Sequence, residues 1–174
     1  MLPRVVVWSI FALAVAVFCL LRPQAARLFV GGFFGVMGLV VHGLVVITNP
    51  EGYVRFAEQA LLLFYRQIGL LLTEPNPRAF GIVMLILEVT LAALILSRGR
   101  WVTVGILGAI LFLVSISPLG FEVMPNLLLA AALVYLLTQD FPRDAFTMLC
   151  DRRGRSTPTA VGNREPQGHR SLSS

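Results

Sequence analysis

The chain has 174 residues, of which 57% are hydrophobic and only 13% are charged, and its mean hydropathy is +0.82. Soluble domains carry roughly 25% charged residues, so this composition excludes most soluble folds and any disordered protein. Two cysteines, Cys19 and Cys150, exclude a small domain held together by disulfides. The composition therefore predicts an integral membrane protein whose apolar surface faces the lipid bilayer.

The formal charge of +5 comes from an excess of arginine, since all 14 basic residues are arginines. They lie singly at the ends of apolar runs or in a polar tail after residue 140. A nucleic-acid interface needs a basic stripe on a folded face, so we expect no nucleic-acid partner. The absence of lysine favours a GC-rich bacterial source.

Five apolar runs approach the length of about 20 helical residues that crosses a bilayer. They lie at 5–21, 28–48, 79–97, 101–117 and 119–138. We therefore predict an all-α membrane bundle. The fifth run is interrupted by Glu122, Pro125 and Asn126, and a helix beginning only at Pro125 would span about 21 Å. We expect this helix to begin before Pro125 or to follow a buried irregular turn.

The predicted organisation has three parts. Residues 1–26 form an N-terminal transmembrane helix, 27–139 form a four-helix membrane domain, and 140–174 form a tail that is disordered from about 151. The first run could instead be a signal peptide. A cleaved signal usually has a shorter apolar region and a clean small-x-small site, so we favour the uncleaved helix.

The segment 49–78 differs from the spans because its charged residues share one side of a helix. Asn49, Pro50 and Glu51 are typical of a helix start, and the proline-rich stretch 73–77 ends the pattern. Such an amphipathic helix lies along the membrane surface or covers the bundle. We interpret it as a connecting helix that covers the mouth of the bundle, with a substrate-gating lid as the alternative.

The arginines also predict the orientation of a multi-pass protein in the bacterial cytoplasmic membrane. One side carries Arg55, Arg66 and Arg78 together with the N-terminal Arg4. The other side carries eight, which places the C-terminus in the cytoplasm and the amphipathic segment outside: Arg22, Arg27, Arg98, Arg100, Arg143, Arg152, Arg153 and Arg155.

Two ionisable side chains lie well inside the predicted spans. Glu88 is at the middle of the third span and must be protonated, paired or hydrated there. His42 is on the second span, on the same helical face as Gly31, Gly35 and Gly38. Glycines on one face let a second helix approach closely, so these three are candidate packing residues and His42 points into a helix contact.

His42 and Glu88 are therefore candidate ligand-binding residues, and we consider two interpretations. On straight antiparallel helices His42 lies ~6 Å above Glu88, so a direct hydrogen bond needs an offset while a bridging water does not. Alternatively, each group is satisfied separately by a backbone carbonyl or by a hydroxyl such as that of Thr90, Ser115 or Tyr135.

Several kinds of chemistry lack their residues. The chain has no Cys-x-x-Cys pair and no phosphate-binding Gly-x-x-x-x-Gly-Lys loop. Two histidines do not suffice for a haem pair or a typical zinc site. We identify no catalytic residue and no metal ligand, and we expect a non-enzymatic role without excluding an enzyme. Glu122 and Asn126 are interpreted as a helix cap, with a binding pair as the alternative.

The stretch 27–137 resembles the DoxX-like family of small bacterial membrane proteins. RLFVGGFFG at 27–35 is similar to the family's arginine-led, glycine-rich first helix. LILEV at 85–89 and the RGR turn at 98–100 resemble its second helix, and PNLLLAAAL at 125–133 resembles its last helix. The resemblance implies a four-helix fold with both termini inside. Through the quinol-oxidase subunit that gives the family its name, it also implies a link to quinones.

Three functions are compatible with these observations. We favour a non-enzymatic accessory or assembly subunit of a larger membrane complex or homo-oligomer. The second is a redox-associated subunit that binds a quinone or another apolar ligand between helices, with His42 and Glu88 as polar contacts. The third is a small transporter, although no inverted repeat is visible.

Overall fold

The structure, a computed structural model, describes residues 2–120 and 123–141, and this part of the chain is helical without any β-strand. Eight α-helices are joined by short connections. A π-helical segment and a 3₁₀ turn interrupt or extend them. In chain order the elements are α1 (Leu2–Leu21), α2 (Pro23–Val36), the π segment (Met37–His42), α3 (Gly43–Thr48), α4 (Gly52–Glu58), α5 (Leu63–Thr73), α6 (Pro77–Leu96), α7 (Arg100–Ile116), the 3₁₀ turn (Ser117–Leu119) and α8 (Asn126–Leu137).

Three helical stretches in the described part of the chain are long and apolar enough to cross a membrane: Pro23–Thr48, Pro77–Leu96 and Arg100–Leu119. The first of these contains α2, the π segment and α3 as one continuous helix. Two apolar helices, Val5–Leu21 and Asn126–Leu137, are shorter. The described part of the chain is thus all-helical, and of the five predicted spans three have the length and hydropathy needed to cross a membrane.

The helix α8 begins at Asn126, after a turn over 123–125. It therefore does not begin before Pro125, which was the first of the two expected arrangements. Proline has no backbone N–H and restricts the residue before it, so it starts the helix more readily than it continues one. Of the two expected arrangements the irregular turn is present, but Met124 within it is exposed. With 12 residues, α8 is about 18 Å long.

The apolar helices pack as a closed ring. Around it, α1 contacts α2, α2 contacts α6, α6 contacts α7, α7 contacts α8, and α8 returns to α1. One connected core of buried side chains, which includes Cys19, Ile95, Ile106 and Leu133, joins all five. Helix α1 is consequently a full member of the ring.

One end of the ring is closed around Arg27, and we call it the Arg27 end. The side chain is fully buried, its guanidinium lies 5.0 Å from the ring centre of Phe141, and Nη1 donates to the Ser97 carbonyl at 3.3 Å. The backbone N–H of Gly99 donates to the Phe141 carbonyl at 3.1 Å. The segment after α8 therefore folds across this end and covers the arginine.

At the opposite end, the predicted single amphipathic helix of 49–78 is wrong, because the chain forms α4 and α5 with a break between them. In that break the N–H of Leu61 donates to the Pro118 carbonyl at 3.0 Å instead of to its own helix. A Cβ on Gly69 would lie 2.9 Å from the Cβ of Ala57, so α5 lies directly against α4. The break folds the two short helices together over the bundle.

Candidate functional site

A cavity of about 240 Å³ lies beneath α4 and α5, between the helices of the ring. Its wall is mainly aromatic and aliphatic, with rings from α1, α2, α6 and α7: Trp8, Phe11, Phe33, Phe34, Phe80 and Phe112. A few polar side chains also reach it: His42, Tyr53, Thr73, Glu88 and Asn126. An apolar cavity with a few convergent polar groups is the usual form of a small-molecule site.

Three of these polar side chains form one chain of contacts. The Tyr53 hydroxyl lies 2.7 Å from His42 Nδ1, and the two rings stack with centroids 5.7 Å apart and an interplanar angle of 10°. On its other side, His42 Nε2 lies 3.5 Å from Glu88 Oε2. Glu88 is only 4% exposed. The structure therefore brings both predicted ligand-binding residues together and adds Tyr53 to them.

The contact between Glu88 and His42 is close in distance but is not a hydrogen bond. Oε2 of Glu88 is buried and has no hydrogen-bond partner among the described residues. Two of the three hydroxyls considered as alternative partners are occupied elsewhere, since those of Thr90 and Ser115 donate to the carbonyls of Ile86 and Leu111. Glu88 Oε2 thus faces His42 Nε2, and neither atom forms a hydrogen bond with the other.

The geometry of the two helices explains how residues at different depths meet. Side chains on an α-helix lean toward its N-terminus. The helix that carries His42 and the helix that carries Glu88 run in opposite directions, so their side chains lean toward each other. This tilt closes the ~6 Å difference in depth expected from the backbones alone. His42 also ends the π segment, a rare form that often accompanies functional positions.

The three glycines singled out in the sequence face α6. A Cβ on Gly31 would lie 2.7 Å from Leu96 side-chain atoms, and one on Gly38 would lie 3.1 Å from the Cβ of Glu88 and 3.2 Å from the Leu85 carbonyl. At Gly35 the nearest atom is the Cβ of Ala92, at 3.7 Å. The absence of side chains at Gly31 and Gly38 lets the two helices approach and sets the depth of Glu88 relative to His42.

The proton on His42 can be placed from the partners of Tyr53. Among the described residues the Tyr53 hydroxyl has no acceptor other than His42 Nδ1. If Nδ1 carried the proton and donated it, the buried O–H of Tyr53 would be left unpaired, which is costly. The hydroxyl therefore donates to Nδ1, and Nε2 carries the N–H that faces Glu88.

Burial, and then the negative charge of Glu88, raise the pKa of the Tyr53 phenol to about 12. The ordinary value is 10.0, so folding favours the neutral phenol. The stabilisation of the folded state that comes from this raised pKa is complete below pH 10 and is lost as the pH rises toward 12. Tyr53 therefore remains a hydrogen-bond donor throughout the physiological range.

This shift predicts a late component in the tyrosinate absorbance titration of the folded protein, which contains three tyrosines. Tyr53→Phe is expected to remove the component near pH 12, and Tyr65→Phe is the matched control that keeps it. Ultraviolet difference spectra in mild detergent measure both. Persistence of the late component in Tyr53→Phe would contradict the assignment.

The other residues singled out in the sequence lie apart from His42, Tyr53 and Glu88 or outside the residues that the structure describes. Asn126 lines the cavity, whereas Glu122, Cys150 and the tail lie outside the described residues. Cys19 is fully buried in the core. No group of three or more His, Cys, Asp or Glu that could hold a metal ion occurs within 2–120 and 123–141.

Comparison with protein-family models, with curated proteins and with solved structures finds no match for this chain.

Proposed function

We propose that this chain is an integral membrane protein that holds an apolar ligand with a polar head group in the cavity beneath α4 and α5. The observation that carries the proposal is the buried Oε2 of Glu88, which has no hydrogen-bond partner among the described residues and lies 3.5 Å from His42 Nε2. A native structure rarely leaves such an oxygen unpaired without a reason. A bound head group supplies the missing partner.

The shape and chemistry of the cavity support the same ligand class. Its aromatic wall disfavours a strongly hydrated solute. The adjoining polar side chains of His42, Tyr53 and Glu88 provide one place for a polar head group. Membrane lipids include apolar molecules with one small oxygen-bearing head, of which quinones are an example. In this proposal His42 and Glu88 are the ligand-binding residues and a quinone is a candidate cofactor.

The proposal also assigns the protein a setting. We infer a multi-pass protein of the DoxX-like type in a bacterial cytoplasmic membrane, acting without catalysis as an accessory or assembly subunit of a larger membrane complex or homo-oligomer. The arginine distribution supports a cytoplasmic Arg27 end and an external position for α4 and α5. The C-terminus then lies in the cytoplasm.

Native mass spectrometry of the protein purified in mild detergent, with organic extraction in parallel, tests the ligand. We expect a bound apolar molecule in the wild-type protein that is lost in Glu88→Met and in His42→Leu. Thr90→Val is the matched control: Thr90 lies on the same helix outside the cavity lining, and its hydroxyl donates to the Ile86 carbonyl. The control is expected to retain the molecule.

The same spectra separate the ligand from the partner. A larger protein assembly without a small molecule would support the accessory subunit alone and would leave His42 and Glu88 as packing residues. A monomer without any bound molecule, in several mild detergents, would overturn both parts of the proposal.

A further inference from the structure

The polar end of the cavity presents one hydrogen-bond donor beside one acceptor. The donor is the N–H on His42 Nε2, since Tyr53 donates to Nδ1. The acceptor is the Glu88 carboxyl, 3.5 Å away. The Tyr53 O–H points to His42, and the His42 N–H points to the Glu88 carboxyl. Glu88 is therefore the hydrogen-bond acceptor at the end of this chain of contacts. The two groups do not satisfy each other, so both remain available to a third group.

We propose that the cavity selects an apolar alcohol or phenol, whose hydroxyl bridges His42 and Glu88, over a matched carbonyl or ether. This inference rests on the proposed function and specifies its ligand class. A hydroxyl accepts from the His42 N–H through its oxygen and donates its own proton to the Glu88 carboxyl. One small group therefore satisfies both sides.

A carbonyl or an ether completes only half of this arrangement. Its oxygen accepts from His42, but it has no proton for Glu88, and the buried carboxyl stays unpaired. Sites built to hydrogen-bond a hydroxyl reject analogues that lack it because their own buried groups are left without partners. Where one ring compound has a reduced form with hydroxyls and an oxidised form with carbonyls, the site accordingly favours the reduced form.

The aromatic wall favours a ring or unsaturated chain next to the hydroxyl. Trp8 and Phe33 lie 6.4 Å apart between ring centres in an edge-on arrangement, and Tyr53 and Phe80 do so at 5.6 Å. Such edge and face contacts suit a further ring. Tyr53 itself acts as a positioning residue, because it holds the imidazole proton on the nitrogen that faces the ligand.

Three probes of matched size test the selection: 4-hexylphenol, 4-hexylanisole and 4-hexylacetophenone. Binding to the full-length protein in lipid nanodiscs is measured by calorimetry, with empty nanodiscs subtracted for partitioning. The phenol is expected to bind the wild-type protein roughly tenfold or more tightly than the ether or the ketone, as the loss of one hydrogen bond to a charged group implies.

Variants identify the groups responsible. In Glu88→Gln the side-chain amide both donates and accepts, so the preference for the phenol over the ketone is expected to fall to near unity. Tyr53→Phe releases the imidazole proton and is expected to reduce the preference as well. Thr90→Val serves as the control that keeps the wild-type ratio.

The outcomes separate the two proposals. Equal saturable binding of all three probes would overturn selection for a hydroxyl and leave the proposed ligand cavity standing. Tighter binding of the ketone would likewise overturn it, by showing that Glu88 donates. The absence of saturable binding by every probe would overturn the cavity function together with this inference.

Discussion

Replacing His42 by leucine is expected to lower the free energy of unfolding by about 1–3 kcal/mol for each buried polar group that loses its partner. The substitution leaves the 4%-exposed Glu88 beside a hydrocarbon side chain and deprives the buried Tyr53 hydroxyl of its acceptor. One substitution thus removes the polar neighbour of both the Glu88 carboxyl and the Tyr53 hydroxyl. Unfolding by SDS titration, followed by circular dichroism, measures the effect.

A double variant distinguishes a stranded carboxyl from a packing defect. Replacing both partners of a buried polar contact by apolar groups of similar shape is often nearly neutral, so His42→Leu combined with Glu88→Met is expected to recover the part of the loss that comes from Glu88. Thr90→Val again controls for a polar change on α6. If the single and double variants are equally unstable, the contact between His42 and Glu88 does not contribute in the way we describe.

Gly105→Ala is expected to destabilise the bundle by about 1–3 kcal/mol, the range for overpacking a core. A Cβ at this position would lie 2.7 Å from the Ile95 nitrogen and 2.9 Å from the Leu94 carbonyl carbon. These are backbone atoms of α6, so no side-chain rotation relieves the clash. Helices α6 and α7 must separate to accommodate one methyl group.

Gly32→Ala is the matched control for this substitution. Both glycines lie within α-helices, but a Cβ at Gly32 would meet nothing within 4 Å. Alanine has the higher helix propensity, by about 1 kcal/mol, so Gly32→Ala is expected to leave the melting temperature unchanged or to raise it. If the two variants melt together, the approach of α6 to α7 is looser than the geometry indicates.

The pairing of His42 with Glu88 was accessible from the sequence because membrane helices expose very few polar groups. The spans contain one carboxylate and one imidazole deep inside them, and the glycines mark the helix face that packs against another helix. Few pairings of polar groups are therefore possible. The expected difference in depth came from backbone rise alone. It omitted the lean of side chains toward helix N-termini, which in antiparallel helices brings the two groups together.

Tyr53 was not predicted as the third member of the cluster. On the helical pattern it belongs to the apolar side of segment 49–78, and a tyrosine there is equally suited to packing. Its position depends on the fold of α4 over the cavity, which follows from the break before α5 and the hydrogen bond from Leu61 to Pro118. A tyrosine on the buried face of an otherwise charged helix was the one available signal.

The burial of Arg27 was missed for a similar reason. At the start of an apolar run an arginine is typical of a membrane-flanking position, and sequence periodicity does not show what covers it. The covering residue, Phe141, lies beyond α8 and reaches Arg27 only once the ring has closed. Such contacts between distant parts of a chain are outside the reach of local patterns.

The closed ring has a consequence for the order in which the protein assembles during synthesis. Its final contact joins α8 to α1, the last and first of the ring helices. Before α8 is synthesised, α1 lacks this contact and packs chiefly against α2, and the shared core that contains Cys19 lacks its α8 members. The cavity wall also includes Asn126 and Leu129 of α8, so the wall is open on that side until the ring closes. The cavity therefore becomes complete only after α8, which follows the other ring helices in the chain, has packed against them.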